Sequence, residues 1–154
     1  MLRVSKLTDY ATVIMTVLAE AQVSGPAASA HVMSAQDLAE RARLEVPTVS
    51  KLLKQLAQAQ LVESFRGVNG GYRLARGRER ISLADIVIAM EGPFGMTECS
   101  AQVGACGHEP HCGVRGNWRR VSDVIETSLR AMTLAEMCRP TPKRASIPVR
   151  LATA

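Results

Sequence analysis

Three cysteines, Cys99, Cys106 and Cys112, fall within fourteen residues in the segment TECSAQVGACGHEPHCGVRG, and Cys138 stands apart. The same segment holds His108 and His111, two of the three histidines in the chain. Thiolate and imidazole are soft metal donors, and the glycines and small residues between them let a backbone wrap around a centre. The gaps of six and five residues match neither the paired C-x2-C of a zinc ribbon nor the C-x-x-C of a redox dithiol. Three thiolates on one loop can hold an iron–sulfur cluster with one non-cysteine ligand completing the set. Zinc and thiol-only chemistry remain alternatives to the cluster at this point. Cys138 lies in a helical pattern and reads as a small buried residue.

A second concentration of chemistry is electrostatic. Residues 41–80 carry nine lysines and arginines against three acidic residues, whereas the whole chain carries a net +5. The rest of the protein is therefore about neutral. A compact basic region on a neutral scaffold is the footprint of a nucleic-acid-binding surface. The low aromatic content, 3%, argues against a stacking platform for single strands.

These groups need a scaffold, and the periodicities describe one. Leu7, Tyr10, Ala11, Ile14, Met15 and Leu18 form the apolar stripe of an amphipathic helix. Residues 23–33 read as a loop. Ser34 and Asp37 form a capping box that opens a short helix to about Ala42. After a turn, Pro47 suits the first turn of a helix running to about Gln60. Val49, Leu52, Leu53 and Leu56 are its buried stripe; Thr48, Lys51, Gln55 and Gln58 face the other way. Two β-prone runs, Leu61–Arg66 and Tyr72–Leu74, flank Gly67-Val68-Asn69-Gly70-Gly71, whose Asn-Gly predicts a tight hairpin turn with positive φ. Ser82 and Asp85 cap a further helix carrying Leu83, Ile86, Val87 and Met90, and Gly92-Pro93 stops it. The cysteine loop fills about 94–116. A long helix from Asn117 to about residue 138 carries Trp118, Val121, Val124, Ile125, Leu129, Met132, Leu134 and Ala135. That is more apolar surface than one end of a small domain can bury, which predicts pairing with a second copy.

The expected fold is mainly α: a winged helix-turn-helix with a two-stranded β-wing, plus a long C-terminal dimerisation helix. The expected divisions are 1–92 for DNA binding, 93–116 for the cysteine loop, 117–138 for dimerisation, and a disordered tail at 139–154. In such a fold the N-terminal residues of the second helix face base edges in the major groove. Here these are Thr48, Ser50 and Lys51; Lys54, Arg66 and Arg73 suit phosphates, and Asn69 sits at the wing tip. No nucleophile–base pair, phosphate loop or metal-hydrolase motif points to an enzyme. No apolar run reaches the ~18 residues of a membrane span, and charge interrupts the N-terminal stretch before a signal region forms. The expectation is a cytoplasmic protein with reduced thiols and no membrane partner.

The strings SKLTDYA, PTVSKLLKQLAQAQLV and RGVNGGYRLAR, the three-cysteine loop, and Trp118 six residues after Cys112 resemble the IscR/NsrR-type winged-helix regulators, the Rrf2 family, over about residues 1–138. LTDYA, EGPFGMTECS and NWRRV look most like the proteobacterial regulator of SUF iron–sulfur assembly. The resemblance implies a homodimeric transcription factor, a repressor of iron–sulfur assembly genes, binding a pseudo-palindromic DNA operator. It implies that Cys99, Cys106 and Cys112 are cluster ligands; a 2Fe-2S cluster is favoured and a 4Fe-4S cluster is compatible. Where the IscR branch places a histidine ligand, this chain has Arg115. The NsrR branch uses an aspartate of the first helix from the other subunit, and Asp9 matches that motif; His108, His111 and Glu109 are the alternatives. Ser50 stands where IscR carries an acidic base-reading residue, so the operator should differ.

Overall fold

The computed structural model describes residues 3–24 and 32–140. The expected disordered tail, but for its first two residues, and most of the expected 23–33 loop lie outside the described residues. The order is α1 (Lys6–Ser24), α2 (Ala35–Ala42), α3 (Val46–Gln58), β1 (Val62–Phe65), β2 (Gly71–Leu74), α4 (Leu83–Glu91), α5 (Glu98–Ala101), α6 (Arg115–Ala131) and α7 (Leu134–Met137). Short 3-10 turns stand at Arg78–Arg80 and Glu109–His111.

The first three helices and the hairpin form the expected winged helix-turn-helix. Ser34 Oγ accepts from Asp37 N–H, and the Asp37 carboxylate accepts from Ser34 N–H, so the capping box opens α2. Arg43 adopts the left-handed conformation (φ 54°) that ends α2 and lets the chain turn into α3. The apolar stripes of α1 and α3 meet in one core: Ile14, Met15, Leu18, Val49, Leu52, Leu53 and Leu56 are buried together.

β1 and β2 pair antiparallel, with Val62 opposite Leu74, Glu63 opposite Arg73, Ser64 opposite Tyr72 and Phe65 opposite Gly71. The hairpin turn falls where expected, but its positive φ is not at the Asn-Gly pair. Residues 66–70 connect the strands, the positive φ falls at Gly67 (110°) rather than at Asn69, and Gly70 N–H donates to Gly67 O at 2.9 Å. The hairpin base is tied to the segment before α2: Tyr72 N–H donates to Met33 O at 2.8 Å and Met33 N–H to Tyr72 O at 3.0 Å. Gly71 is required at this crossing, because a Cβ there would overlap the Met33 carbonyl.

The long C-terminal helix also departs from expectation. It ends at Ala131, the chain turns at Met132, and α7 starts afresh with Thr133 and Glu136 as a capping box. Leu83 N–H donates to Met132 O and Leu134 N–H to Ile81 O, both at 2.8 Å. Leu134 and Ala135 are thus buried in the core beside α1 rather than displayed on a dimer helix. The unbroken apolar period through 134 conceals a change of partner.

Gly71→Ala should force the wing away from Met33. A destabilisation of about 1–3 kcal/mol in chemical denaturation is expected from overpacking.

Candidate nucleic-acid interface and cysteine segment

α3 presents Ser50, Lys51 and Lys54 to solvent, with Thr48 half-buried at its first turn. Arg66 and Asn69 are exposed at the hairpin tip. Among the described residues Lys51, Lys54 and Arg66 form no ion pair, so their charge is available to a polyanion. A groove of about 540 Å³ runs between α3 and the wing, lined by Ser50, Lys54, Ala57, Gln58, Ser64 and Tyr72. Ser64 and Tyr72 line this groove and were not among the residues expected there; strand alternation from Val62 was the available signal.

Arg73 is placed otherwise. Alternation sets it, with Glu63 and Phe65, on the wing face opposite Ser64 and Tyr72. Its Nε and Nη2 donate to Glu63 Oε2 at 3.0 and 2.9 Å, and its guanidinium lies 4.5 Å from the centre of the Phe65 ring. Arg76, beyond β2, donates to Asp85 of α4 at 3.1 Å, while Arg130 of α6 stands 3.8 Å from the other Asp85 oxygen. Burial pushes the Asp85 carboxyl up, but the Ser82 backbone and hydroxyl and the Arg76 guanidinium outweigh it, and its pKa falls below the ordinary value.

The cysteine segment is more ordered than a plain loop. Cys99 is buried on α5; Cys106 and Cys112 are half-buried; all are free thiols. The Ser122 hydroxyl, on α6 and 3% exposed, accepts from Met96 N–H at 3.0 Å, donates to Trp118 O at 2.9 Å, and lies 3.2 Å from Ser100 Oγ. This contact seats α5 on α6. Gly95 permits it, since a Cβ there would overlap Ala101. Cys112 N–H closes the 3-10 turn onto Glu109 O at 3.3 Å, three residues before α6 begins.

Glu109 is buried, where it pairs with Arg115 and accepts from Gly104 N–H at 2.7 Å. It is therefore engaged, not presented as a ligand, and Arg115 Nε is buried without a partner. His108 and His111 lie with ring centres 6.4 Å apart. Asp9 is exposed in the first turn of α1. Nearby, Glu91 at the end of α4 accepts from Ser5 N–H at 3.0 Å and from the buried Thr8 hydroxyl. These bonds, the Thr8 one foremost, hold the Glu91 carboxyl below its usual range. Among the described residues no three His, Cys, Asp or Glu side chains are grouped to hold a metal ion. In donor type the set fits an iron–sulfur centre, with three free thiols on one short segment and a carboxylate on a separate helix. Cys138 is half-buried rather than buried; its Sγ lies 3.8 Å from Thr16 O, and burial raises its thiol pKa.

α6 buries only Ser122; Trp118, Val121 and Val124 are exposed, Val124 at 67%. An apolar groove of about 510 Å³ lies beside it, lined in part by Val4, Val87, Phe94, Met96, Ile125 and Leu129. Among the described residues no helix is long and apolar enough to cross a membrane.

A family model, Rrf2, described as an iron-dependent transcriptional regulator, matches residues 4–140. The chain is 29% identical over 136 residues to the HTH-type transcriptional regulator IscR of Xenorhabdus nematophila, covering 88% of this chain and 79% of that protein. It is similar in structure to the global cysteine regulator CymR of B. subtilis (TM-score 0.66, 28% identity, 90% of this chain and 97% of that one). It is similar also to T. potens IscR (TM-score 0.62, 32% identity, 88% and 85%).

Ser122→Ala would leave the Met96 N–H without its partner inside the α5–α6 contact. A loss of about 1–3 kcal/mol is expected. In hydrogen exchange, amides of 96–101 should lose protection while those of α3 keep it.

Proposed function

Because the chain belongs to the Rrf2 family of transcriptional regulators, we propose that it is a homodimeric repressor of iron–sulfur assembly genes of the SUF type. Its affinity for a pseudo-palindromic operator would report a cluster held by Cys99, Cys106 and Cys112. The observation that carries this reading is the Ser122 contact, which fastens the thiol-bearing segment to the long helix that must pair with a second copy.

The DNA-binding part follows from the exposed residues. Thr48, Ser50 and Lys51 at the start of α3 meet base edges; Lys54 and Arg66 neutralise phosphates; Asn69 and Arg73 belong to the wing. Ser and Thr bond several base edges, so the sharper choice rests with Lys51, which can bond guanine.

The sensing part falls to the cysteine segment. Cys99, Cys106 and Cys112 supply three thiolates, and Asp9 of a second copy supplies the fourth ligand. A bound 2Fe-2S centre, the favoured type, would supply sensitivity to iron supply and oxidants. The chain's own residues carry the response. Cys99 rides on α5, seated on α6 by Ser122; Cys112 directly precedes α6. Asp9 directly follows Thr8, whose hydroxyl contact with Glu91 joins α1 to α4. A change in how these groups are held therefore reaches α1 and α4, against which α3 packs. Differential affinity of ~1–3 kcal/mol between two arrangements suffices for regulation.

A second reading, direct thiol or zinc sensing, is favoured by one observation: Cys106 and Cys112 are free, half-buried thiols.

Anaerobically purified protein should contain iron and acid-labile sulfide in equal, near-integral amounts per subunit. Cys106→Ala and Cys112→Ala should lose both, and Asp9→Ala should retain less while remaining dimeric by light scattering. Stoichiometric zinc, or no metal after reconstitution, would give the thiol or zinc reading its place.

A further inference from the structure

Arg73 carries positive charge on the wing, yet its fork is turned onto Glu63 rather than outward. Two N–H groups, on Nε and Nη2, are spent on one carboxylate oxygen at 3.0 and 2.9 Å, and the guanidinium lies against the Phe65 ring. The residues are direct cross-strand partners, so the strand register holds the pair together. Both side chains remain partly exposed, Arg73 at 32% and Glu63 at 44%, so the pair adds little to stability. It sits on the wing face opposite Ser64 and Tyr72, which line the α3 groove, so a phosphate contact made from it would carry no base information.

We propose that Glu63 restrains sequence-independent DNA binding by neutralising Arg73. While the pair holds, the wing meets phosphate with a nearly uncharged couple, and one counterion fewer is released on binding. Glu63 acts through Arg73 and is not itself a contact residue. This rests on the winged-helix docking described above and is independent of any cluster.

The test uses the full chain, without reconstitution, and a mixed-sequence duplex followed by fluorescence anisotropy across a salt series. Glu63→Gln keeps an acceptor for Arg73 but removes the neutralising charge. It should tighten binding by about fivefold at low salt and steepen the slope of log K against log salt by about 0.9. Arg73→Ala alone should change the slope little, and adding Arg73→Ala to Glu63→Gln should abolish the gain. An unchanged slope in Glu63→Gln would overturn the proposal, as would a gain that survives Arg73→Ala, which would mark Glu63 as a carboxylate repelling phosphate on its own. Failure of the wild-type chain to bind any duplex would instead sink the docking reading, and this proposal with it.

Discussion

Between α5 and α6 a single buried hydroxyl, that of Ser122, closes the contact on which the rest of the arrangement depends. It satisfies the Met96 N–H and sits against Ser100, so a four-residue helix with no stability of its own is held in place. Take that contact away and Cys99 has no fixed relation to α6. With it, the buried thiol, the segment leading to Cys112 and the exposed apolar face of α6 form one body. The link onward is made by charged groups, Arg130 to Asp85 to Arg76, which run from α6 through the cap of α4 to the foot of the wing.

The two functional regions are balanced differently. In the winged-helix part the buried cluster is apolar apart from Thr8, and among the described residues Lys51 and Lys54 of α3 form no ion pair, so that surface is free to spend charge on a polyanion. In the cysteine segment the charges are turned inward, with Glu109 buried against Arg115 and capping Gly104. A buried carboxylate costs much unless paired and hydrogen-bonded, and here it is both. That pair organises the segment around an ion pair rather than around its thiols.

Much of this was legible in the residues. The Ser34 and Ser82 capping boxes, the turn between α2 and α3, and the buried stripe of α3 all depend on neighbours within a few positions, and local pattern reports them well. The misses share a physical cause: each turns on a contact that the helix or strand period does not encode. The wing tip closes with Gly70 N–H on Gly67 O, and the positive φ stands at Gly67 rather than at Asn69. The apolar period that continues through Leu134 serves two different partners, and only the Thr133–Glu136 signature marks the restart. Glu109 offered itself as a ligand by type, but Arg115, six residues on, claims it. Arg73 counted as free charge until the strand register set Glu63 opposite it.

The central claim is that the state of the cysteine segment is read out as DNA affinity. The most direct measurement is the dissociation constant for a duplex selected by the protein from a random pool, taken at one fixed salt concentration. It is made on the anaerobic iron- and sulfide-containing protein and on the same preparation after chelation. The account predicts a difference of about five- to 150-fold between the two, in either direction. Equal affinities would contradict it and leave a DNA-binding dimer whose cysteines do not govern it.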